Sequence, residues 1–329
     1  MRLAQTALLG HKIKKTPIPK DPIFILGHWR SGTTFLHELL SADDRFMSPT
    51  TFQCFCPQHF LLTENVLTTA LWFLIPSKRP MDNVKAGWHA PQEDEFALCA
   101  MGIDSPYLRM AFPNEPPRHL EYLAMQPIAQ QETAAWQESL YSFLQCLCYR
   151  QQNKRIVLKS PTHTGRLKML REMFPNAKFV HIVRDPYDVV PSTIRLWKSL
   201  DEVQGLQVPH HKGIEDFVHQ AYKTMYGEFE AARQGAEACS DLVDIRYEDL
   251  VEDPCGVLEN VYTTLELGNF EDVRPTVQTA LDARRGYKKN AHVLDEDLVS
   301  RINDNWADYF ERYGYPMQQV SQPAHTAEG

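Results

Sequence analysis

The sequence predicts an α/β fold, a mostly parallel sheet flanked by helices on both faces, with a largely helical insertion on the substrate side. Three observations predict it. An apolar strand pattern runs into a glycine-framed loop and then a helix over residues 22–40. Strand and helix patterns alternate again from residue 155 to residue 265. Between these stretches, residues of about 50–150 are rich in Pro and aromatics and show no series of strands. Strands alternating with helices form parallel sheets covered on both faces.

The elements follow in order. Pro22–Leu26 (PIFIL) is a short run of β-favouring apolar residues ended by Gly27, the pattern of a buried parallel strand. From Gly32 the spacing of Phe35, Leu36, Leu39 and Leu40 is helical. Arg155–Lys159 (RIVLK) predicts a strand, Gly165–Phe174 an amphipathic helix, and Lys178–Val183 (KFVHIV) another buried strand. Helices are expected over Val189–Leu200 and Gly213–Gly235, a strand over Leu242–Tyr247, and a helix over Gly256–Leu265. A final helix spans Asp295–Tyr313, and the polar last dozen residues are expected to fray.

Composition narrows the class. The chain has 329 residues, 43% hydrophobic and 23% charged, enough for a sizeable core. No Gly/Ser-rich linker divides it, so one domain over residues 1–329 is expected, with a core of about 21–316. A net charge of -8 argues against a broad nucleic-acid surface. The seven cysteines lack zinc-site spacing and read as reduced thiols, which points to a reducing, cytoplasmic compartment. The N-terminus makes a poor signal peptide, because His11 and Lys12 break its apolar run. Val66–Pro76 is too short to cross a bilayer. It reads either as a core or pocket-lining helix, or as a greasy entrance for an apolar acceptor and a peripheral membrane contact.

The most informative segment is Gly27-His28-Trp29-Arg30-Ser31-Gly32-Thr33-Thr34. A loop between strand and helix lets backbone N–H groups and the helix N-terminus cradle an anion. The frame G-x-x-x-x-G is that of a Walker A loop, but Thr33 stands where the lysine should be. That lysine serves the β/γ-phosphates of a triphosphate. Here the cation is Arg30, inside the loop, where it can meet charge developing at the 5′ end of a shorter nucleotide.

GHWRSGTTFL resembles the 5′-phosphosulfate loop of sulfotransferases that use 3′-phosphoadenosine 5′-phosphosulfate (PAPS). It is most similar to the bacterial branch and to tyrosylprotein sulfotransferases, which carry an Arg at this place. The resemblance implies a P-loop NTPase-like sheet. It also implies metal-independent in-line transfer of a sulfuryl group to an acceptor hydroxyl, with 3′-phosphoadenosine 5′-phosphate (PAP) as product. Ser31, Gly32, Thr33 and Thr34 would hold the 5′-phosphate, and Phe35 would stack on adenine.

Two further segments carry the resemblance. His181-Ile-Val-Arg184-Asp185-Pro186, with Ser192 eight residues beyond Arg184, resembles the 3′-phosphate motif and assigns Arg184 and Ser192 to that group. The planar guanidinium suits a phosphate, although Arg184 could instead pair structurally with Asp185 or Asp188. Lys159 ends its strand where the family has a Lys that contacts the transferring sulfuryl group. Tyr247-Glu248-Asp249 is similar to an element whose Tyr contacts adenine, with core packing as the alternative. Arg284-Arg285-Gly286-Tyr287-Lys288-Lys289 lies where many members place a 3′-phosphate clamp, in a different residue order, which makes Arg285, Tyr287 and Lys288 candidates.

The general base departs from the family pattern. Cytosolic sulfotransferases place a His two residues after the strand-end Lys, and here that residue is Pro161. Glu93, Asp94 and Glu95 offer carboxylates at an apparent helix start, where acids also simply complement the helix dipole. Glu93 shares a helical face with Phe96 and Ala97, so the order of candidates is Glu93, Glu95, then His163. A P-loop kinase would need the missing lysine, and a non-catalytic nucleotide binder would not need Arg30 or Lys159. The acceptor, whether carbohydrate, lipid, peptide or small molecule, is left open. We predict that PAP binds more tightly than Mg-ATP and that EDTA does not weaken it. Calorimetry checks this, and tighter binding of Mg-ATP would overturn the nucleotide assignment.

Overall fold

A short strand, β1 (Ile23–Leu26), lies at the centre of a parallel sheet in a computed structural model that describes residues 1–74, 86–151, 154–234, 240–284 and 294–319. The strand order is β2 (Phe46–Met47), β3 (Arg155–Lys159), β1, β4 (Lys178–Val183), β5 (Leu242–Arg246). All four pairings are parallel. The register sets Ile25 beside both Lys159 and Val180, so β1, β3 and β4 finish nearly level.

The helices in chain order begin with α1 (Arg2–Lys14), α2 (Thr33–Leu40), α3 (Thr51–Phe55), α4 (Phe60–Ala70), α5 (Glu95–Met101) and α6 (Gln130–Arg150). They continue with α7 (Leu167–Met173), α8 (Pro186–Gln204), α9 (Ile214–Gln234), α10 (Tyr247–Glu252), α11 (Pro254–Thr264), α12 (Arg274–Ala283) and α13 (Glu296–Tyr313). Strand side chains alternate between two cores, as a period of two requires. Ile23, Ile25, Val180 and Ile182 pack with Leu36, Leu39 and Leu40 of α2, Val261 of α11 and Val277 of α12. Phe24, Leu26, Leu158 and Phe179 face the larger core with Leu144 of α6, Val190 of α8, Val218 of α9 and Ile302 of α13. Because both faces of β1 are covered, the strand is apolar throughout rather than alternating.

The strands RIVLK and KFVHIV occupy the expected residues. Other elements differ for local reasons. α8 starts three residues before the expected Val189, with Pro186 in its first turn and the Asp185 carboxylate accepting from Tyr187 N–H at 2.9 Å. The helix expected from Gly165 becomes a 3₁₀ turn, Pro161–Arg166, followed by α7. A Cβ at Gly165 would lie 2.3 Å from the Leu123 carbonyl oxygen, so close packing there excludes a side chain. α1, weighed in the sequence only as a leader segment, is a helix tied down by side chains. Gln5 Oε1 accepts from Leu61 N–H at 3.1 Å, and Gln145 Nε2 donates to the Lys14 carbonyl at 3.1 Å. β2 is two residues long, too short to leave a pattern. Nearly all of the terminal stretch expected to fray lies outside the described residues.

Two buried histidines make this core acid-sensitive. Burial pushes His28 down from 6.5 to about 4. Burial, then the Lys159 charge, push His37 down to about 3. Both therefore fold as neutral imidazoles, while the unfolded chain takes up protons below about pH 6.5. Their contribution is complete above pH 6.5 and is lost as pH falls toward the folded values. For His28 it amounts to about 3 kcal/mol, taking ~1.4 kcal/mol per tenfold change. We predict a melting temperature that falls steadily from pH 6.5 to pH 4.5, with a shallower fall in His37→Gln. A flat profile in the parent protein over that range would refute the neutral assignment.

Candidate active site

Three neighbouring strand ends deliver the site. β1 runs into the Gly27–Gly32 loop, β3 ends on Lys159, and Arg184 follows β4 directly. Ligands in open α/β sheets sit outside this edge of the strands. The loop has the backbone of an anion cradle. Gly27, Arg30 and Gly32 all have positive φ, at 145°, 68° and 107°. A Cβ on Gly32 would fall 2.3 Å from the Tyr247 ring, so glycine is required there. Thr164 pins the loop by accepting from Gly27 N–H at 2.8 Å. Ser31 is buried, and its hydroxyl donates to the His28 carbonyl at 2.8 Å. α2 begins at Thr33 without a side-chain cap, which leaves its first N–H groups for a ligand.

The arginines flank this cradle. Arg30 Nε donates to Ser192 Oγ at 2.9 Å, joining two residues that the sequence assigns to opposite ends of the nucleotide. Arg184 Nη1 donates to the Arg30 carbonyl at 3.0 Å, and its Nη2 lies 3.4 Å from Asp188. Its guanidinium stacks over the Tyr247 ring at 4.3 Å. The structural pairing with Asp188 thus coexists with the loop contact. Arg184 Nε is buried and has no hydrogen-bond partner among the described residues. Phe35 is buried beneath the Arg284 guanidinium, 4.6 Å from its ring. Arg285, Tyr287 and Lys288 lie outside the described residues.

Lys159 is 2% exposed and forms a 2.6 Å ion pair with Glu93 Oε1. Its Nζ also lies 3.4 Å from the Thr34 hydroxyl, against the phosphate loop. The helical-face argument for Glu93 does not hold, because α5 begins at Glu95 and Glu93 precedes it. Its neighbours are both fully buried. Asp94 accepts from Ser160 Oγ at 2.9 Å and meets His163 Nε2 at 2.7 Å. Glu95 takes a two-point contact from Arg166, 2.6 and 3.2 Å, plus the hydroxyls of Thr162 and Ser105. Burial alone would raise the Asp94 carboxyl, but His163 and Ser160 outweigh it and hold it below its ordinary value. Glu95 is likewise held low against burial, chiefly by Arg166.

Sequence reasoning missed Tyr107, in the 3₁₀ turn Pro106–Met110. Its hydroxyl donates to Glu93 Oε2 at 2.5 Å and accepts from Trp29 Nε1 at 3.1 Å. No motif surrounds Tyr107, and only the fold brings residues 29, 93 and 107 together. Among the described residues no cluster has the makings of a metal site, and no helix is long and apolar enough to cross a membrane.

A phosphate cradle lacking the triphosphate lysine, with a lysine and an arginine at the two adjoining strand ends, defines a nucleotide-dependent group-transfer enzyme. The chain belongs to the sulfotransferase family, whose model matches residues 22–272. It is a sulfotransferase with PAPS as co-substrate. It is 43% identical over 322 residues to omega-hydroxy-beta-dihydromenaquinone-9 sulfotransferase Stf3 of Mycobacterium bovis, and equally to that of Mycobacterium tuberculosis; each match covers 98% of this chain and 82% of the relative. The fold is similar to crystal structures of two mycobacterial sulfotransferases. For STF9 of Mycobacterium avium the TM-score is 0.74 at 17% identity, covering 98% of this chain and 83% of that one. For STF1 of Mycobacterium tuberculosis H37Rv it is 0.66 at 20% identity, covering 93% and 81%.

We predict that Arg184→Ala weakens PAP binding by roughly 2–4 kcal/mol, the effect of deleting one side of a buried charge-assisted contact. AMP, lacking the 3′-phosphate, should bind almost unchanged. Equal losses for both nucleotides, measured by calorimetry, would return Arg184 to a purely structural role.

Proposed function

We propose that this chain, read as one catalytic domain, sulfates a hydroxyl on a long apolar lipid of the hydroxymenaquinone kind, with Glu93 as general base. The observation that carries the reading is the convergence of Glu93, Lys159 and Thr34 beside the phosphate loop. PAPS supplies a sulfuryl group activated by a 5′-phosphate leaving group. Arg184 and Ser192 hold the 3′-phosphate, Tyr247 and Phe35 flank the adenine, and residues 31–34 hold the 5′-phosphate. Arg30 exchanges its Ser192 contact for the bridging oxygen, where charge grows as the S–O bond breaks. Lys159 turns from Glu93 toward the sulfuryl oxygens. Glu93 then accepts the acceptor's proton as the new O–S bond forms. Glu95 and His163 have the weaker claim to that role, since both are fully buried and tied to Arg166 and Asp94.

The relatives named for a hydroxylated dihydromenaquinone support a lipid acceptor. So does the surface. The Tyr107, Phe96 and Phe55 rings lie in sequence, 5.2 and 5.4 Å apart, from beside Glu93 to the exposed Phe55. Val66, Trp72, Phe73 and Leu74 are also exposed, which favours the entrance and membrane-contact reading of this segment. Residues 1–20 add Arg2, Lys12, Lys14, Lys15 and Lys20 with no acid, in a chain of net charge -8. This basic helix is bonded to α4 through Gln5, which suits an anionic bilayer. The free thiols support a cytoplasmic setting on the inner membrane face.

We expect Glu93→Gln to lower turnover of an apolar alcohol by roughly 10²–10⁴-fold while PAP still binds. Rates should rise with acceptor chain length, and Trp72→Ser with Phe73→Ser should abolish flotation with phosphatidylglycerol vesicles. Full activity of Glu93→Gln would remove the base. Indifference to chain length would remove the lipid acceptor.

A further inference from the structure

Both oxygens of the Glu93 carboxylate are engaged, each by a different element. Lys159 at the end of β3 holds Oε1, and the Tyr107 hydroxyl holds Oε2. Tyr107 is itself fixed from the other side. Trp29, inside the phosphate loop, donates its Nε1–H to the Tyr107 oxygen, and the hydroxyl proton is thereby directed at Glu93. The ring is buried among Trp29, Phe96 and Trp197, with centroids 6.3, 5.2 and 6.4 Å away. We infer that Tyr107 is a positioning residue that orients the Glu93 carboxylate and couples it to the phosphate loop.

This rests on the reading of Glu93 as the base. Once Lys159 turns to the donor, Tyr107 is the contact that remains, among those described, to decide which carboxylate oxygen meets the acceptor. Oε1 is then presented to the hydroxyl while Oε2 stays bonded. Four ionisable groups beside this chain of contacts keep one charge state. Cys54 from α3 is raised well above its ordinary value by burial and by Asp94 and Glu93. His37 from α2 is neutral, and Asp94 and Glu95 are held as carboxylates. Burial and the Glu93 charge keep Tyr107 protonated as a donor.

The test is Tyr107→Phe, which removes one hydroxyl and keeps the ring. Losing a hydrogen bond to a carboxylate should lower kcat toward an apolar alcohol roughly tenfold or more, with PAP affinity and acceptor KM changed less than twofold. The acid limb of the kcat/KM profile should move to higher pH, because the carboxylate loses a donor that favours its charged form. In a Glu93→Gln background the same substitution should add no further loss. A purely structural role would instead lower PAP affinity and melting temperature and leave the acid limb in place, which would overturn the inference. Full activity of Glu93→Gln would overturn both this inference and the base beneath it. Inactivity of Glu93→Gln with an unmoved limb in Tyr107→Phe would overturn this inference alone.

Discussion

The site depends on a buried lysine at the end of a central strand. An ammonium that is 2% exposed needs a partner, because removing an unpaired charge from water costs several kcal/mol. Glu93 is that partner, and its two neighbours are secured in the same way. Three consecutive acids, Glu93, Asp94 and Glu95, meet Lys159, His163 and Arg166 in turn. The basic side chains all come from one stretch, the end of β3 and the 3₁₀ turn after it. This double row stitches the helical segment of about 50–150 to the sheet. Its inner members, Asp94 and Glu95, are bonded by three or more groups between them and are built to stay. The outer pair is the more exposed, with Glu93 at 14%.

That asymmetry explains which parts of the molecule were legible in the sequence. The strands around the site read directly, because β1 is apolar throughout and β3 and β4 carry buried apolar runs between their polar residues. The phosphate loop read directly too, since Gly27 and Gly32 stand where a side chain would strike Ile182 or Tyr247. The acid run was visible as composition, but its geometry was not. A helical-face argument placed Glu93 inward and Glu95 aside, whereas α5 begins only at Glu95 and turns it fully into the core. A one-residue uncertainty in where a helix starts rotates every later side chain by about 100°. Tyr107 and Thr164 left no signal, because each acts on a partner far away in the chain and neither sits in a motif. Thr164 holds Gly27 across 137 positions. α1 was hidden for another reason: it is anchored by Gln5 and Gln145 rather than by an apolar stripe.

The two halves of the site are built from different materials. The donor side is backbone, hydroxyl and guanidinium, held by a rigid sheet edge. Its partners are fixed charges of a single kind, so a small number of well-placed donors suffices. The proposed acceptor side is aromatic, with Tyr107, Phe96 and Phe55 in contact and Trp72 and Phe73 exposed. Apolar contact is non-directional and grows with area, so such a surface selects for length and hydrophobicity rather than for a hydrogen-bond pattern. For the proposed acceptor, a long hydrocarbon with one terminal hydroxyl, only the reacting end would enter the polar part, whereas the hydroxyls of a sugar would need partners along these rings.

The same reasoning bears on why the proposed base is a carboxylate tied to a lysine. A carboxylate is a weak base toward an alkyl hydroxyl, and a lysine bonded to it restrains it. The pair at rest is thus nearly inert. Its reactivity depends on where the ammonium goes. If Lys159 turns to the sulfuryl oxygens, the positive charge that restrained Glu93 instead stabilises charge on the transferring group, and one motion serves both ends of the reaction. The hydroxyl of Tyr107 limits how far the carboxylate follows, since it holds the other oxygen from a buried, well-packed ring. On this view the acid run performs two tasks with three residues. Asp94 and Glu95 fix the backbone, and in the proposed mechanism that anchoring lets Glu93 change partners without moving the chain that carries it.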